Sequence, residues 1–147
     1  MSFSAQLLSW ERSGDYRELK GQRHFVHIAG TGPALLLLHG FPSASVDWAP
    51  LWPQLTAHFR CYTFDFLGFG LSAKPQKHHY SIFDQADRVE ALLRAEGVEH
   101  YHILAHDIGD TVAQELLARQ LDGSGHGVID RVCLLNGGLF PETHRAL

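Results

Sequence analysis

Short apolar runs alternate with longer amphipathic segments along the whole chain. Apolar runs bounded by turn residues are typical of buried strands, whereas apolar residues at every third or fourth position indicate helices. These patterns predict a hairpin at 17–20 and 24–28, strands at 34–38, 61–66, 101–104 and 128–135, and helices at 47–59, from 81 to near Gly97, and at 111–119. Strands that alternate with helices predict an α/β fold whose mostly parallel sheet carries helices on both faces.

The run from Ala105 to Gly109 lies between a predicted strand and a predicted helix, with Asp107 at its centre. Small residues two positions before and after an acid allow a sharp turn that holds the central residue in strained backbone geometry and exposes its side chain. A structural acid gains little stability in such a corner, so a functional role for Asp107 is favoured. We therefore interpret Asp107 as a nucleophile.

A carboxylate nucleophile implies a particular chemistry. It is an anion near neutral pH, since its reference pKa is about 3.9, and the N-terminus of the following helix favours the charged form. It suits displacement at a saturated carbon, which leaves an alkyl ester on the enzyme. Water must then hydrolyse that ester, and this step requires a base and an oxyanion hole.

An oxyanion hole is predicted from the segment His39-Gly40-Phe41-Pro42, which follows the apolar run 34–38. In this type of site one backbone N–H comes from the loop after an earlier strand and one from the residue after the nucleophile, here Phe41 and Ile108. Gly40 would allow a close approach. His39 is expected to orient the loop rather than to act as an acid or base, and His106 to support the corner.

Together with the run 65–72 and Lys74-Pro75, these motifs resemble the α/β-hydrolase fold family, in the branch of epoxide hydrolases and haloalkane dehalogenases. The similarity extends from about residue 32 to the end, and the segments 78–83, 112–117 and 136–145 resemble one group within the family more closely. The resemblance implies an α/β-hydrolase fold truncated after about the sixth strand. Residues 1–147 would form the N-terminal half of a core domain, without the cap and the C-terminal half.

The resemblance also constrains the substrate. Haloalkane dehalogenases bind the departing halide with an Asn after His-Gly and a Trp after the nucleophile, where this chain has Phe41 and Ile108. The resemblance thus favours an epoxide or a related small apolar substrate over a haloalkane. Asp110 stands where the family often has a small residue. It is expected to complement the helix dipole, although it would raise the pKa of Asp107 if the two carboxyls approached.

The family's acid and catalytic histidine follow the nucleophile along the chain, yet only about 40 residues follow Asp107 here. Neither His126 nor His144 fits the position of a base, which must reach the ester at hydrogen-bond distance. The resemblance therefore implies either that the natural polypeptide is longer or that this chain is inactive by itself. The alternative is a non-catalytic binding or interaction module with the same fold.

Composition and residue spacing exclude several classes of partner and cofactor. The chain has 147 residues, 45% of them apolar, and a net charge of −4 without a basic stripe, so nucleic acid is not an expected partner. The eleven histidines include no group with carboxylates or cysteines at ligand spacing, and neither a metal nor a cofactor is expected. The turn residues of Asp65-x-x-Gly68-x-Gly70 lack the spacing of a phosphate-binding loop.

Three further expectations concern surfaces and location. No apolar run is long enough for a membrane span and the first ten residues lack the features of a signal peptide, so a cytoplasmic protein is predicted. With the family's strand order, Cys61 and Cys133 would lie about three strand spacings of ~4.8 Å apart, as buried unbridged thiols. The strand 128–135 would be an exposed edge, which predicts self-association.

Overall fold

A computed structural model describes residues 2–138 of the chain. The elements are α1 (Phe3–Ser13), β1 (Asp15–Leu19), β2 (Gln22–Ala29), β3 (Ala34–Leu38), a 3-10 turn (Ser45–Trp48), α2 (Trp52–Thr56), β4 (Arg60–Phe64), α3 (Ile82–Ala95), β5 (His100–His106), α4 (Ile108–Asp122) and β6 (Val128–Leu135).

The strands form one six-stranded sheet in the order β1-β2-β4-β3-β5-β6. Strands β4, β3, β5 and β6 are parallel, whereas the hairpin β1-β2 joins the sheet antiparallel to β4. Because the carboxyl ends of the parallel strands meet at one edge, the loops after β3, β4 and β5 are brought together there. The predicted mostly parallel sheet is confirmed.

The central strand β3 is apolar throughout because it is buried on both faces of the sheet. Leu36 and Leu38 pack into the core beneath α3 and α4, while Leu35 and Leu37 pack on the opposite face. That second face is covered by three tryptophans from α1, the 3-10 turn and α2. A strand buried on both faces has no polar face, which explains the run Ala-Leu-Leu-Leu-Leu. The helices therefore cover both faces of the sheet, as predicted.

The segment after β3 differs from its prediction. A continuous helix over 47–59 was expected from the spacing of its apolar residues, but the segment forms a 3-10 turn followed by the one-turn helix α2. Pro50 and Pro53 have no N–H to donate, and each interrupts the hydrogen-bond pattern that a longer helix would need. Helix α1 has no counterpart in the sequence pattern, because among residues 4–13 only Trp10 is fully buried.

Two cysteines occupy different environments. Cys61 in β4 is buried, as predicted, whereas Cys133 in β6 is exposed, so the prediction that both are buried thiols is wrong for Cys133. Cys133 lines an open cavity of about 540 Å³ together with Leu35, Phe59 and His102. Strands β3 and β5 separate the two cysteines, and both thiols are free.

Within residues 2–138, none of the helices has the length and apolar character that crossing a bilayer requires.

Candidate active site

Asp107 lies in the sharp turn between β5 and α4, with φ 54° and ψ −116°. This is a sparsely populated backbone region for a residue with a side chain, and such strain persists only where the surroundings enforce it. The structure explains why the residues two positions before and after Asp107 are small. A Cβ on Gly109 would come within 2.5 Å of the carbonyl oxygen of Leu38, and Ala105 is completely buried. The turn therefore fits only because both flanking positions are small.

Two backbone N–H groups converge on one oxygen of the Asp107 carboxylate. Oδ1 accepts from the N–H of Phe41 at 2.8 Å and from that of Ile108 at 2.6 Å. A helix N-cap side chain usually accepts from the second or third residue of the helix, not from the first residue and a distant loop. The geometry therefore differs from ordinary capping, and it brings Phe41, Asp107 and Ile108 together as the sequence predicted.

Gly40 makes this convergence possible. A Cβ at this position would lie 2.8 Å from Cβ of Asp107 and 2.7 Å from Nδ1 of His106. Both distances are far below normal contact, so no other residue fits without displacing the loop or the corner. The same contact places the imidazole of His106 against the loop that donates to Asp107.

His39 is fully buried and joins two loops through its ring. Its Nε2 accepts from the backbone N–H of Phe66 at 3.0 Å, so the ring proton resides on Nδ1, which donates to the carbonyl of Gly40 at 2.8 Å. Burial lowers the pKa of His39 and favours the neutral ring. With both nitrogens engaged by backbone groups, His39 holds the loop and has no free nitrogen for proton transfer.

The glycine-rich loop after β4 closes around Asp65. This buried carboxylate accepts from the N–H of Ser45 at 2.8 Å and from that of Leu71 at 2.7 Å. The hydroxyl of Ser72 donates to the carbonyl of Asp65 at 2.6 Å. A Cβ on Gly70 would come within 2.1 Å of Asp65 Oδ2. The N–H of Leu71 donates to the loop's own aspartate, and those of Gly68, Phe69 and Ser72 donate to backbone carbonyls, which agrees with a turn and not with a phosphate cradle.

An open cavity of about 530 Å³ adjoins the corner at Ile108. Most of its wall is apolar, and its lining residues are Leu67, Gly68, Phe69, Lys74, Tyr80, Ser81, Ile82, Gln85 and Ile108. Gln85 fixes this wall, since its amide accepts from the N–H of Leu67 at 3.1 Å and donates to the carbonyl of Leu67 at 3.0 Å. At the site, the ring of Phe41 is 67% exposed and stands edge-on to that of Phe69, 6.3 Å away.

Asp110 occupies the position predicted for it, but in an unexpected environment. It lies in the first turn of α4, as expected, but its side chain is completely buried and accepts from the N–H of Leu135 at 3.3 Å. Burial raises its pKa; the charge of Asp107 also raises it, while the Leu135 N–H and His106 lower it. An acid in the first turn of a helix complements the dipole, but the complete burial of Asp110 was not predicted. Only the unusual acid at this position could have drawn attention to it, and nothing in the sequence indicated Gln85.

Other histidines lie away from the corner. His126 bonds through Nε2 to the carbonyl of Val98 at 2.8 Å, before the start of β5, whereas Asp107 follows its end. His144 lies outside the described residues. Within residues 2–138, no group of three or more His, Cys, Asp or Glu side chains is arranged to hold a metal ion.

Known proteins share this fold and much of this sequence. The family described as alpha/beta hydrolase fold matches residues 33–144. The mesoderm-specific transcript homolog protein of Bos taurus is 51% identical over 152 residues, covering 98% of this chain and 45% of the relative. LipZ, a Mycobacterium tuberculosis protein named as a hydrolase, is 40% identical over 140 residues, covering 95% of this chain and 48% of its own.

Among solved structures, the haloalkane dehalogenase DbeA from Bradyrhizobium elkani USDA94 superposes with a TM-score of 0.75 at 28% identity. The match covers 85% of this chain and 42% of the dehalogenase. The chain spans about half the length of the curated relatives that it matches. A family match over most of the chain, close relatives and a shared sheet topology lead to one conclusion: the chain belongs to the α/β-hydrolase fold family.

Proposed function

We propose that Asp107 is the nucleophile of a hydrolase that opens epoxides on small apolar molecules through a covalent ester. The observation that carries the proposal is that the two oxygens of the carboxylate have different hydrogen-bond environments. Oδ1 is held by the N–H groups of Phe41 and Ile108. Oδ2 has no hydrogen-bond partner among residues 2–138, so its lone pairs are free to attack.

In the first step, Oδ2 attacks a ring carbon of the epoxide. A new C–O bond forms, the ring C–O bond breaks, and its electron pair moves to the ring oxygen, which takes up a proton from solvent. The product is a hydroxyalkyl ester of Asp107 whose carbonyl oxygen is Oδ1. The strained backbone of Asp107 presents the carboxylate at the carboxyl edge of the sheet, where ligands of such folds bind.

In the second step, water attacks the carbonyl carbon of the ester. Negative charge develops on Oδ1, which already lies 2.8 Å from the Phe41 nitrogen and 2.6 Å from the Ile108 nitrogen. Donors placed in advance where charge will develop stabilise the transition state without reorganisation. Collapse of this intermediate breaks the bond between Cγ and Oδ2, so that Oδ2 leaves in the diol and the oxygen of water takes its place in the carboxylate. One proton of the water goes to the departing oxygen, and the other returns to solvent and replaces the proton taken up in the first step.

The apolar cavity beside Ile108 supports a substrate with an apolar body. Its volume of about 530 Å³ lies within the range of small-molecule sites, about 300–1,000 Å³. Dehalogenase neighbours make haloalkanes the second candidate. A departing halide needs N–H donors around it, and the side chains of Phe41 and Ile108 have none, so epoxides remain the first choice.

Neither His39 nor His126 is placed to act as the base for the second step. Both ring nitrogens of His39 are engaged by backbone groups, and His126 lies at the other end of β5. We therefore expect the 147-residue chain to form the ester and to accumulate it, rather than to turn over. An accumulating adduct makes the nucleophile directly detectable.

The test is to incubate the chain with 1,2-epoxyhexane and to measure intact mass, followed by peptide mapping. We expect one adduct, on Asp107, and none in Asp107→Asn. The matched control is Asp122→Asn, which removes an exposed carboxylate from the other end of α4 and should label as the wild type does. Equal labelling of the Asp107→Asn variant would refute the nucleophile, and an unlabelled wild type would favour a non-catalytic binding module.

A further inference from the structure

The steps proposed above leave one buried carboxyl beside the nucleophile without a role. Asp110 is 0% exposed, and its Oδ1 accepts from the backbone N–H of Leu135 at 3.3 Å. The carbonyl of Leu135 in turn accepts from the N–H of Asp107 at 3.1 Å. The last residue of β6 is thus bonded on one side to the nucleophile's backbone and on the other to the carboxyl of Asp110.

The chain after β6 is shaped around the same carboxyl. A Cβ on Gly137 would come within 2.1 Å of Asp110 Oδ2, so a residue with a side chain would not fit at this position. The preceding residue, Asn136, has a positive φ of 56°. Oδ2 of Asp110 is buried and has no hydrogen bond of good geometry, although the backbone of Gly137 lies close enough to lower the pKa of this carboxyl. Enclosing an incompletely bonded polar group opposes folding, so stability alone does not account for an acid at this position.

We propose that Asp110 is a positioning residue for Asp107, acting by joining the first turn of α4 to the carboxyl end of β6. This inference rests on the proposed function of Asp107. The nucleophile's backbone has a positive φ of 54°, and such a conformation persists only where neighbouring groups hold it. The N–H of Asp107 is held by Leu135, and Asp110 fixes Leu135.

Electrostatics is compatible with this position. Two ionised carboxylates side by side would repel each other. Burial raises the pKa of Asp110 and the charge of Asp107 adds a smaller rise, which together outweigh the lowering effects of the backbone at Leu135 and Gly137 and of His106. The uncharged form of Asp110 still offers an oxygen to the N–H of Leu135. The role therefore needs the acceptor oxygen and not the charge, which predicts that asparagine can replace aspartate here.

The experiment measures how fast 1,2-epoxyhexane esterifies Asp107, as a function of epoxide concentration, in three variants. Asp110→Ala removes the acceptor, Asp110→Asn keeps it, and Leu116→Ala truncates a buried residue of the same helix that is absent from the Leu135 connection. We expect Asp110→Ala to lower the maximal rate constant by about tenfold or more with an unchanged half-saturating concentration, since small displacements of a reacting group are costly. Asp110→Asn and Leu116→Ala should stay within about threefold of the wild type.

Amide hydrogen exchange supplies a readout independent of the reaction. The N–H groups of Asp107 and Leu135 should exchange faster in Asp110→Ala than in Asp110→Asn. A rate loss in Asp110→Ala no larger than that in Leu116→Ala would reduce Asp110 to a stabilising residue and overturn the inference. Equal impairment of Asp110→Asn and Asp110→Ala would do the same. Failure of the wild type to label would instead refute the proposed nucleophile, and the inference with it.

Discussion

The backbone N–H of Phe41 lies 2.8 Å from Oδ1 of Asp107, although 66 positions separate the two residues in the chain. Strands β3 and β5 are adjacent and parallel, with Leu38 in register with Ala105, so the loops that follow them begin side by side. The contact therefore follows from strand order, not from local sequence. Such a connection is what allows a backbone donor from one half of a site to serve a carboxylate in the other.

Gly40→Ala should break this connection. The added Cβ would lie 2.8 Å from Cβ of Asp107, so the loop or the corner must move and the Phe41 N–H loses its position. We expect the rate of Asp107 esterification to fall by about tenfold to a hundredfold. Mass spectrometry of the epoxide-treated protein measures this rate.

Gly138→Ala is the matched control, because a Cβ there would meet nothing within 4 Å among the described residues. It should label like the wild type. If Gly40→Ala labels as fast as this control, the Phe41 N–H has no part in placing the carboxylate.

The corner at Asp107 could be predicted from the sequence, because the constraints that build it are local. A buried strand that turns sharply into a helix needs small residues, and Ala105 and Gly109 reveal the corner by themselves. Strand β3 is recognisable because both its faces are buried. The burial of Asp110 and the exposure of Cys133 depend on which elements pack over them, and that information is distributed over the whole chain.

Arg119 should be a main electrostatic link between α3 and α4. Its guanidinium, 14% exposed, bonds to Glu115 at 2.7 Å, to Asp87 at 2.8 Å and to Glu90 at 3.2 Å. Burial alone would lower the pKa of Arg119, but these carboxylates raise it, and the side chain stays charged. Arg119→Met leaves carboxylates without their partner and should lower the free energy of unfolding by about 1–3 kcal/mol, because the group is only partly exposed.

Urea denaturation measures this loss, and Arg94→Met provides the comparison. Arg94 lies on α3, is 54% exposed and makes only a 3.6 Å pair with Glu90. Its replacement should cost less than about 1 kcal/mol. Equal effects of the two substitutions would contradict a special role for Arg119.

Acid should destabilise the fold through His27. His27 is 4% exposed, and its ring packs against the indoles of Trp10 and Trp52, with ring centroids 4.2 Å and 4.6 Å away. Burial lowers the pKa of His27 to about 4. Between pH 6.5 and 4 the unfolded chain then binds a proton that the folded chain does not, so stability is present above pH 6.5 and is lost as the pH falls. The shift corresponds to about 3 kcal/mol.

The measurement is the free energy of unfolding at several pH values between 4 and 7. His27→Leu should flatten the profile, whereas replacing the exposed His58 by leucine should leave it unchanged. Part of the slope should remain in His27→Leu, since burial also lowers the pKa values of His24 and His39. An unaltered slope in that variant would assign the acid sensitivity to those other histidines.

Strand β6 should cause the isolated chain to self-associate. In the part of the chain that the structure describes, β6 pairs only with β5, so its outer edge presents unpaired backbone groups. Val128 and Leu135 are exposed on this strand, as is Cys133. Exposed apolar edges pair with other chains, and a lysine within the edge opposes such pairing. Light scattering under reducing conditions should therefore show oligomers for the wild type and a shift towards monomer for Cys133→Lys. A monodisperse wild-type monomer would show that this edge is already covered.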